Sequence, residues 1–91
     1  MTAHIVTYDL NKESKRPPIV EEVKKSALWA KLSESSYAIN TNETATQVYK
    51  RFEKYIDDND NLYVIGLHKP WNGFGPKAVN NWLDQNLRPC S

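Results

Sequence analysis

One acidic side chain stands out because it ends a run of strand-forming residues. Asp9 follows a segment rich in β-branched and aromatic side chains, residues 4–8. A carboxylate there needs a cation, a metal ion or solvent to offset its lost hydration. Because Mg²⁺ prefers six oxygen ligands, a catalytic Mg²⁺ or Mn²⁺ site at Asp9 requires a second copy of the same carboxylate. The alternative is an Asp that caps the following turn or is simply solvated there.

The other reactive residues lack the spacing that their chemistry requires. His4 and His68 have no second ligand at zinc spacing, and the acidic segment 57–61 lacks the Gly and Glu of an EF-hand. The serines in segment 33–36 have no nucleophile-elbow context. The single cysteine, Cys90, excludes an intrachain disulfide and a cysteine-based zinc site. Cysteine usage therefore predicts a reducing, cytoplasmic location.

Basic residues are unevenly distributed although the chain is nearly neutral. Twelve Lys and Arg against eleven Asp and Glu give a net charge of +1, too little to attract phosphate backbones globally. Lys12, Lys15 and Arg16 nevertheless form a local candidate strip for binding nucleic acid. The alternative is a solvated face in which acids such as Glu13 are interspersed.

The first half of the chain predicts alternating strands and helices. Residues 4–10 read as a strand, and Pro17 and Pro18 predict extended backbone before a helix that starts at Ile19. Residues 29–32 and 36–40 read as two short strands. Thr44 and Gln47 have the spacing of a capping box, which predicts the start of a second helix that continues to Ile56. Both helices are expected to pack on the same face of the sheet.

The second half predicts one more strand and a third helix. Residues 61–67 have apolar side chains at both odd and even positions, which predicts a central strand covered on both faces. Residues 68–75 form a glycine-containing loop, and Pro76 stands at a favoured first helical position before a helix that ends near Leu87. The prediction is one α+β domain, residues 1–91, of ferredoxin-like type. Its βαββαβ core spans about residues 4–68, and a C-terminal loop and helix span about residues 69–88.

Two aromatic residues lie in the glycine-containing loop. Trp71 and Phe74 are candidates for binding a partner, because loop aromatics stack on bases or dock into proteins. The alternative, which we favour, is that both fold back and cover the edge of the sheet. No apolar run reaches the length of a membrane span and no signal peptide is recognisable, so no membrane association is expected.

Three short segments, taken in order, resemble the small CRISPR-associated Cas-two proteins. They are a first strand ending in Tyr8 and Asp9, a serine–aromatic segment at residues 35–39, and a last core strand at residues 60–65. The chain is more similar still to SinR-like bacterial and phage relatives, which share the Tyr-Asp strand and a tryptophan-containing C-terminal helix. The resemblance covers roughly residues 5–67.

This resemblance implies a homodimer in which two sheets meet and the two Asp9 side chains approach each other. Some members of that family hold a divalent metal there and cleave nucleic acid, whereas others act architecturally beside an integrase. The first hypothesis is therefore a dimeric protein that acts on or beside nucleic acid, as a metal-dependent nuclease through paired Asp9. The second is a noncatalytic module that binds a protein or ligand through the sheet edge and the loop of Trp71 and Phe74.

Overall fold

Four strands form one antiparallel sheet in a computed structural model that describes residues 1–89. The strands are β1 (Thr2–Asp9), β2 (Leu28–Ser33), β3 (Ser36–Thr41) and β4 (Asn61–Leu67), and their order across the sheet is β2-β3-β1-β4. The helices are α1 (Arg16–Lys24), α2 (Ala45–Phe52) and α3 (Lys77–Asn86). The predicted α+β class is confirmed. Cys90, on which the disulfide prediction rests, lies outside the described residues.

Helix α1 begins three residues earlier than predicted. A short 3₁₀ turn, Glu13–Lys15, leads directly into it, and both prolines lie in its first turn. Prolines are tolerated at these positions because the amide groups of the first turn have no partner within the helix in any case. The prediction that Pro17 and Pro18 hold extended backbone was therefore wrong.

Helix α2 begins at the predicted capping box. The Thr44 hydroxyl accepts a hydrogen bond from the Gln47 amide, and the Gln47 side chain accepts one from the Thr44 amide. The helix ends at Phe52, and a 3₁₀ turn, Glu53–Tyr55, follows it. Ile56 has extended backbone, so the predicted helix was one turn too long.

Helices α1 and α2 pack on one face of the sheet, as the sequence predicts. Alternate residues of β1 point toward them, and Val6 is fully buried there. The main hydrophobic core consists of these side chains, drawn from the sheet and both helices: Val6, Tyr8, Ile19, Val23, Tyr37, Ile39, Val48, Phe52 and Leu62. Burial of this cluster is the main stabilising contribution to the fold.

Helix α3 covers part of the opposite face of the sheet. A second, smaller core contains Ala3, Ala38, Leu83 and Leu87. The small side chains of Ala3 and Ala38 let the helix approach the strands closely. Beyond α3 the chain returns alongside the end of β4, where the Lys69 amide donates a hydrogen bond to the Arg88 carbonyl at 2.6 Å.

Strand β4 lies at an edge of the sheet and is not the central strand that its composition predicts. Its bounds are as predicted, but it pairs only with β1, which occupies the centre. Leu62 packs in the main core, whereas Tyr63 and Ile65 are 62% and 54% exposed. Helix α3 crosses the other end of the sheet, which leaves these two side chains uncovered. Within residues 1–89, none of the helices has both the length and the apolar character needed to cross a bilayer.

Candidate functional site

The sheet surface opposite α1 and α2 is only half covered, and the middle of its uncovered half is uncharged and largely apolar. We call this middle part the open face, and it consists of Ile5, Thr7, Leu32, Tyr63 and Ile65. Tyr63 is paired with Thr7 and Ile65 with Ile5, so these four side chains point to the same side. Leu32 is 39% exposed on the adjoining part of the sheet. None of the five side chains carries a charge.

A cavity of about 250 Å³ adjoins the open face. We call it the α3 cavity, because its walls come from α3, from the loop at residues 70–76 and from the sheet beneath. The sheet contributes Ile5, Leu32 and Leu67, and α3 contributes Val79 and Leu83. No lining residue is charged. The cavity is therefore suited to an apolar group.

The two loop aromatics that the sequence groups together occupy different environments. Trp71 packs against the smaller core, and its Nε1 donates a hydrogen bond to Asp84 Oδ1 at 2.9 Å, which ties the loop to α3. Phe74 lies at the α3 cavity but its side chain is wholly exposed. The prediction that both fold back to cover the edge of the sheet was wrong for Phe74, whereas Trp71 does fold back, onto the smaller core.

Asp9 lies at the last position of β1, opposite Asn61 of β4. Its parity along β1 is that of Ile5 and Thr7, so it belongs to the same side of the sheet as the open face. The carboxylate is exposed. Among residues 1–89, no group of three or more His, Cys, Asp or Glu residues is placed to hold a metal ion.

The predicted nucleic-acid strip is largely engaged in contacts within the chain. Lys15 Nζ lies 2.6 Å from both Asp57 Oδ2 and Asp60 Oδ2. Arg16 Nε lies 2.8 Å from Glu13 Oε2, and its guanidinium also donates to the Glu34 carbonyl and stacks over Tyr8. Lys12 is exposed. Two of the three predicted cations are thus held by neighbours rather than directed together at a ligand.

Asp60 is the centre of the contacts around Lys15. Its side chain is inaccessible to solvent and accepts hydrogen bonds from Lys15 and from the amides of Asn11 and Asp57. These bonds, that from Lys15 first, lower the pKa of Asp60 to about 2. The hydrogen bonds to Asp57 and to Asp60 raise the pKa of Lys15. The acidic segment that fails the EF-hand pattern is therefore a turn that anchors the end of β1 to the start of β4.

Sequence reasoning missed an ion network between α1 and α2. Arg51 donates hydrogen bonds to Glu22 Oε2, to Glu43 Oε1 at 2.6 Å and to Ser26 Oγ at 3.1 Å. Burial acts to raise the pKa of Glu22, but the bonds from Arg51 and from Tyr55 outweigh it and lower that pKa. Because Arg51 lies 29 positions away from Glu22 in the sequence, no local pattern could have revealed this role.

One histidine is buried at the start of β1. His4 is 3% exposed, and its Nδ1 has no hydrogen-bond partner within the described residues. Burial lowers the pKa of His4, and the nearby Glu43 opposes this effect without cancelling it. By its parity along β1, His4 lies on the same face of the sheet as Val6 and Tyr8, so its ring is enclosed rather than presented on the surface.

The arrangement as a whole offers an apolar surface beside an apolar cavity, with one carboxylate at the margin. A scan against models of known protein families finds no match to this chain.

Proposed function

We propose that this chain is a noncatalytic protein-interaction module of ferredoxin-like type that associates with a second copy through its open face. The strand order β2-β3-β1-β4, with α1 and α2 as the two crossover helices, supports the ferredoxin-like assignment. Such a module would be a homodimer built by sheet-to-sheet contact.

The exposed apolar side chains of the open face carry this proposal. Tyr63 and Ile65 are more than half exposed although they occupy regular strand positions with fully paired neighbours in β1. Contiguous apolar surface of this kind on a small protein marks an interaction site. None of the five side chains of the open face is charged, so these residues bring no like charges together when they pack against their own copies.

The contacts of the basic residues argue against nucleic acid as the main partner of a monomer. A protein binds phosphates with free Lys and Arg side chains. Here Lys15 and Arg16 are paired with Asp57, Asp60 and Glu13.

The experiment is sedimentation velocity over 1–500 μM, roughly the range in which weak dimers dissociate. The wild type is expected to sediment as a dimer at the upper concentrations, and Ile65→Glu, which places a charge in the open face, as a monomer. Trp29→Ser is the control, because Trp29 is 38% exposed on the opposite side of the sheet. A wild type that remains monomeric throughout would refute the proposal.

A second candidate function is metal-dependent cleavage of nucleic acid by paired Asp9. It is favoured by one observation, the position of Asp9 on the same side of the sheet as the open face. In a face-to-face dimer two such carboxylates could share a Mg²⁺ or Mn²⁺ ion, which would offset their repulsion.

Cleavage of single-stranded RNA and duplex DNA, with each metal and with chelator, tests this candidate. A nuclease would lose all metal-dependent cleavage in Asp9→Asn and keep it in Asp58→Asn, an exposed acid outside the sheet. Absence of cleavage by the wild type, with thermal melts that do not respond to metal, would exclude it.

A further inference from the structure

Phe74 is fully exposed, and a partner surface would be needed to bury it. It is a large apolar side chain that contacts water over its whole area, whereas the nearby Trp71 is partly buried. A phenyl ring is markedly more stable when it is buried than when it is exposed to water. A ring held at the mouth of an apolar cavity is in position to be buried by association.

The α3 cavity is large enough to receive such a ring. A cavity of about 150 Å³ lined by apolar side chains binds benzene in another protein. The α3 cavity measures about 250 Å³ and is lined by aliphatic and aromatic residues together with neutral polar ones. A phenyl side chain therefore fits in size and in polarity.

We propose that, in the homodimer, the Phe74 ring of each copy inserts into the α3 cavity of the other. This inference rests on the proposed homodimer and names the contact that holds it together. Because Phe74 lies at the mouth of its own cavity, a two-fold axis beside that mouth brings each ring to the partner's cavity. The same contact between ring and cavity is then made twice, once by the ring of each copy.

The area available agrees with a specific dimer. Phe74, Tyr63, Ile65 and Leu32 together expose on the order of 500 Å² per copy, since a whole aromatic side chain contributes about 150–250 Å². Two copies thus bury about 1,000 Å² in total, which is the lower bound for a specific interface. Without Phe74 the area falls well below that bound.

Two variants remove the two halves of the contact. Phe74→Ala removes the ring and, because Phe74 is exposed, is expected to leave the melting temperature of the monomer unchanged. Val79→Phe fills the cavity from the α3 side. Each homodimer loses both insertions, and its dissociation constant is expected to rise about 100-fold, or about tenfold for each ring. Should Val79→Phe unfold, Asn80→Phe fills the cavity from the next position.

Mixing the two variants gives the decisive measurement. The Phe74→Ala copy keeps an empty cavity, and the Val79→Phe copy keeps its ring, so the heterodimer retains one insertion. Sedimentation of the 1:1 mixture is expected to show association about tenfold tighter than that of either variant alone. A mixture that associates no better than its components, with both variants folded, would overturn the inference.

The outcomes also separate this inference from the proposed function. If the wild type dimerises, Ile65→Glu is monomeric and Phe74→Ala dimerises as the wild type does, the open face is the interface and Phe74 has no part in it. If Phe74 instead covers its own cavity, Val79→Phe weakens stability and leaves association unchanged. A wild type that stays monomeric refutes both proposals.

Discussion

Charged and polar residues of this chain act mainly on each other. Lys15, Arg16 and Arg51 are each bound to acids of the same chain. A count of charges cannot distinguish these residues from free surface cations, because the acid partners lie up to 45 positions away. The basic strip was a reasonable prediction from composition, but the distances between side chains leave Lys12 as its exposed member.

The ion network of Arg51 predicts a loss of stability on its removal. Arg51→Met keeps the length of the side chain but leaves Glu22, whose side chain is 6% exposed, without its main donor. Leaving a buried acceptor unpaired costs about 1–3 kcal/mol. Urea unfolding is expected to show this loss for Arg51→Met and a change below about 0.5 kcal/mol for Lys50→Met, its exposed neighbour on α2. Equal losses in both variants would show that the network contributes nothing specific.

The buried His4 is expected to make the free energy of unfolding depend on pH in the mildly acidic range. Burial lowers the pKa of His4 in the folded chain, and the unfolded chain has the ordinary value near 6.5. Below pH 6.5 the unfolded chain therefore binds the proton first. The contribution of His4 to stability is expected to be complete above pH 6.5 and to fall as the pH drops, with a slope of at most about 1.4 kcal/mol per pH unit.

Unfolding measured between pH 7 and pH 5.5 tests this dependence. His4→Gln should remove the slope, whereas His68→Gln, an exposed histidine, should keep it. Asp60 contributes little to this slope, because its stabilising effect is lost only as the pH falls toward and below 3.8, its ordinary value. The glutamates whose pKa is lowered from 4.5 add to the slope only near pH 5, so the comparison is made between pH 7 and pH 5.5. A slope that survives in His4→Gln and vanishes in His68→Gln would contradict the assignment.

At the scale of elements, helix α3 determines which half of the second sheet face is covered. Leu83 is 8% exposed and packs in the smaller core, whereas Trp82 is only partly buried. Leu83→Ala is expected to lower the free energy of unfolding by about 2–4 kcal/mol, as truncations of buried leucines do. Asn81→Ala, on the exposed side of the same helix, is the control. Equal melting temperatures for Leu83→Ala and the wild type would mean that α3 is not packed on the sheet in solution.

Local sequence signals predicted the helices and strands well, but they predicted the positions of these elements in the fold less well. The capping box at Thr44 and the strand at residues 61–67 depend on neighbouring residues, and both were confirmed. The position of β4 at the edge depends on which strands pair and on where α3 crosses the sheet. The apolar residues at both odd and even positions of β4 carry no information about strand pairing or about the path of α3. Apolar composition indicated two covered faces, but one face of β4 is uncovered at Tyr63 and Ile65.

At the scale of the whole molecule, the sequence identified only some residues of the candidate site. Trp71 and Phe74 were singled out because loop aromatics stack on bases or dock into proteins, yet only the structure separates the partly buried ring from the exposed one. Ile5, Leu32 and Ile65 belong to three different strands and meet only across the sheet. No spacing in the sequence brings them together, so the open face was not predicted.

The neutrality of the open face predicts that self-association is nearly independent of salt. Salt weakens contacts between exposed charges and strongly weakens binding to phosphates, whereas burial of apolar surface does not depend on ion pairs. The dimer dissociation constant is therefore expected to change less than about threefold between 50 and 500 mM NaCl, because no charged residue lines the open face or the α3 cavity.

Sedimentation in both buffers measures this change, and fluorescence anisotropy of a labelled single-stranded RNA in the same buffers measures phosphate binding in parallel. Any binding of that RNA should weaken steeply with salt. A dimer that dissociates tenfold more readily at high salt would place the interface at the charged ends of the strands instead, near Asp9 and Lys12.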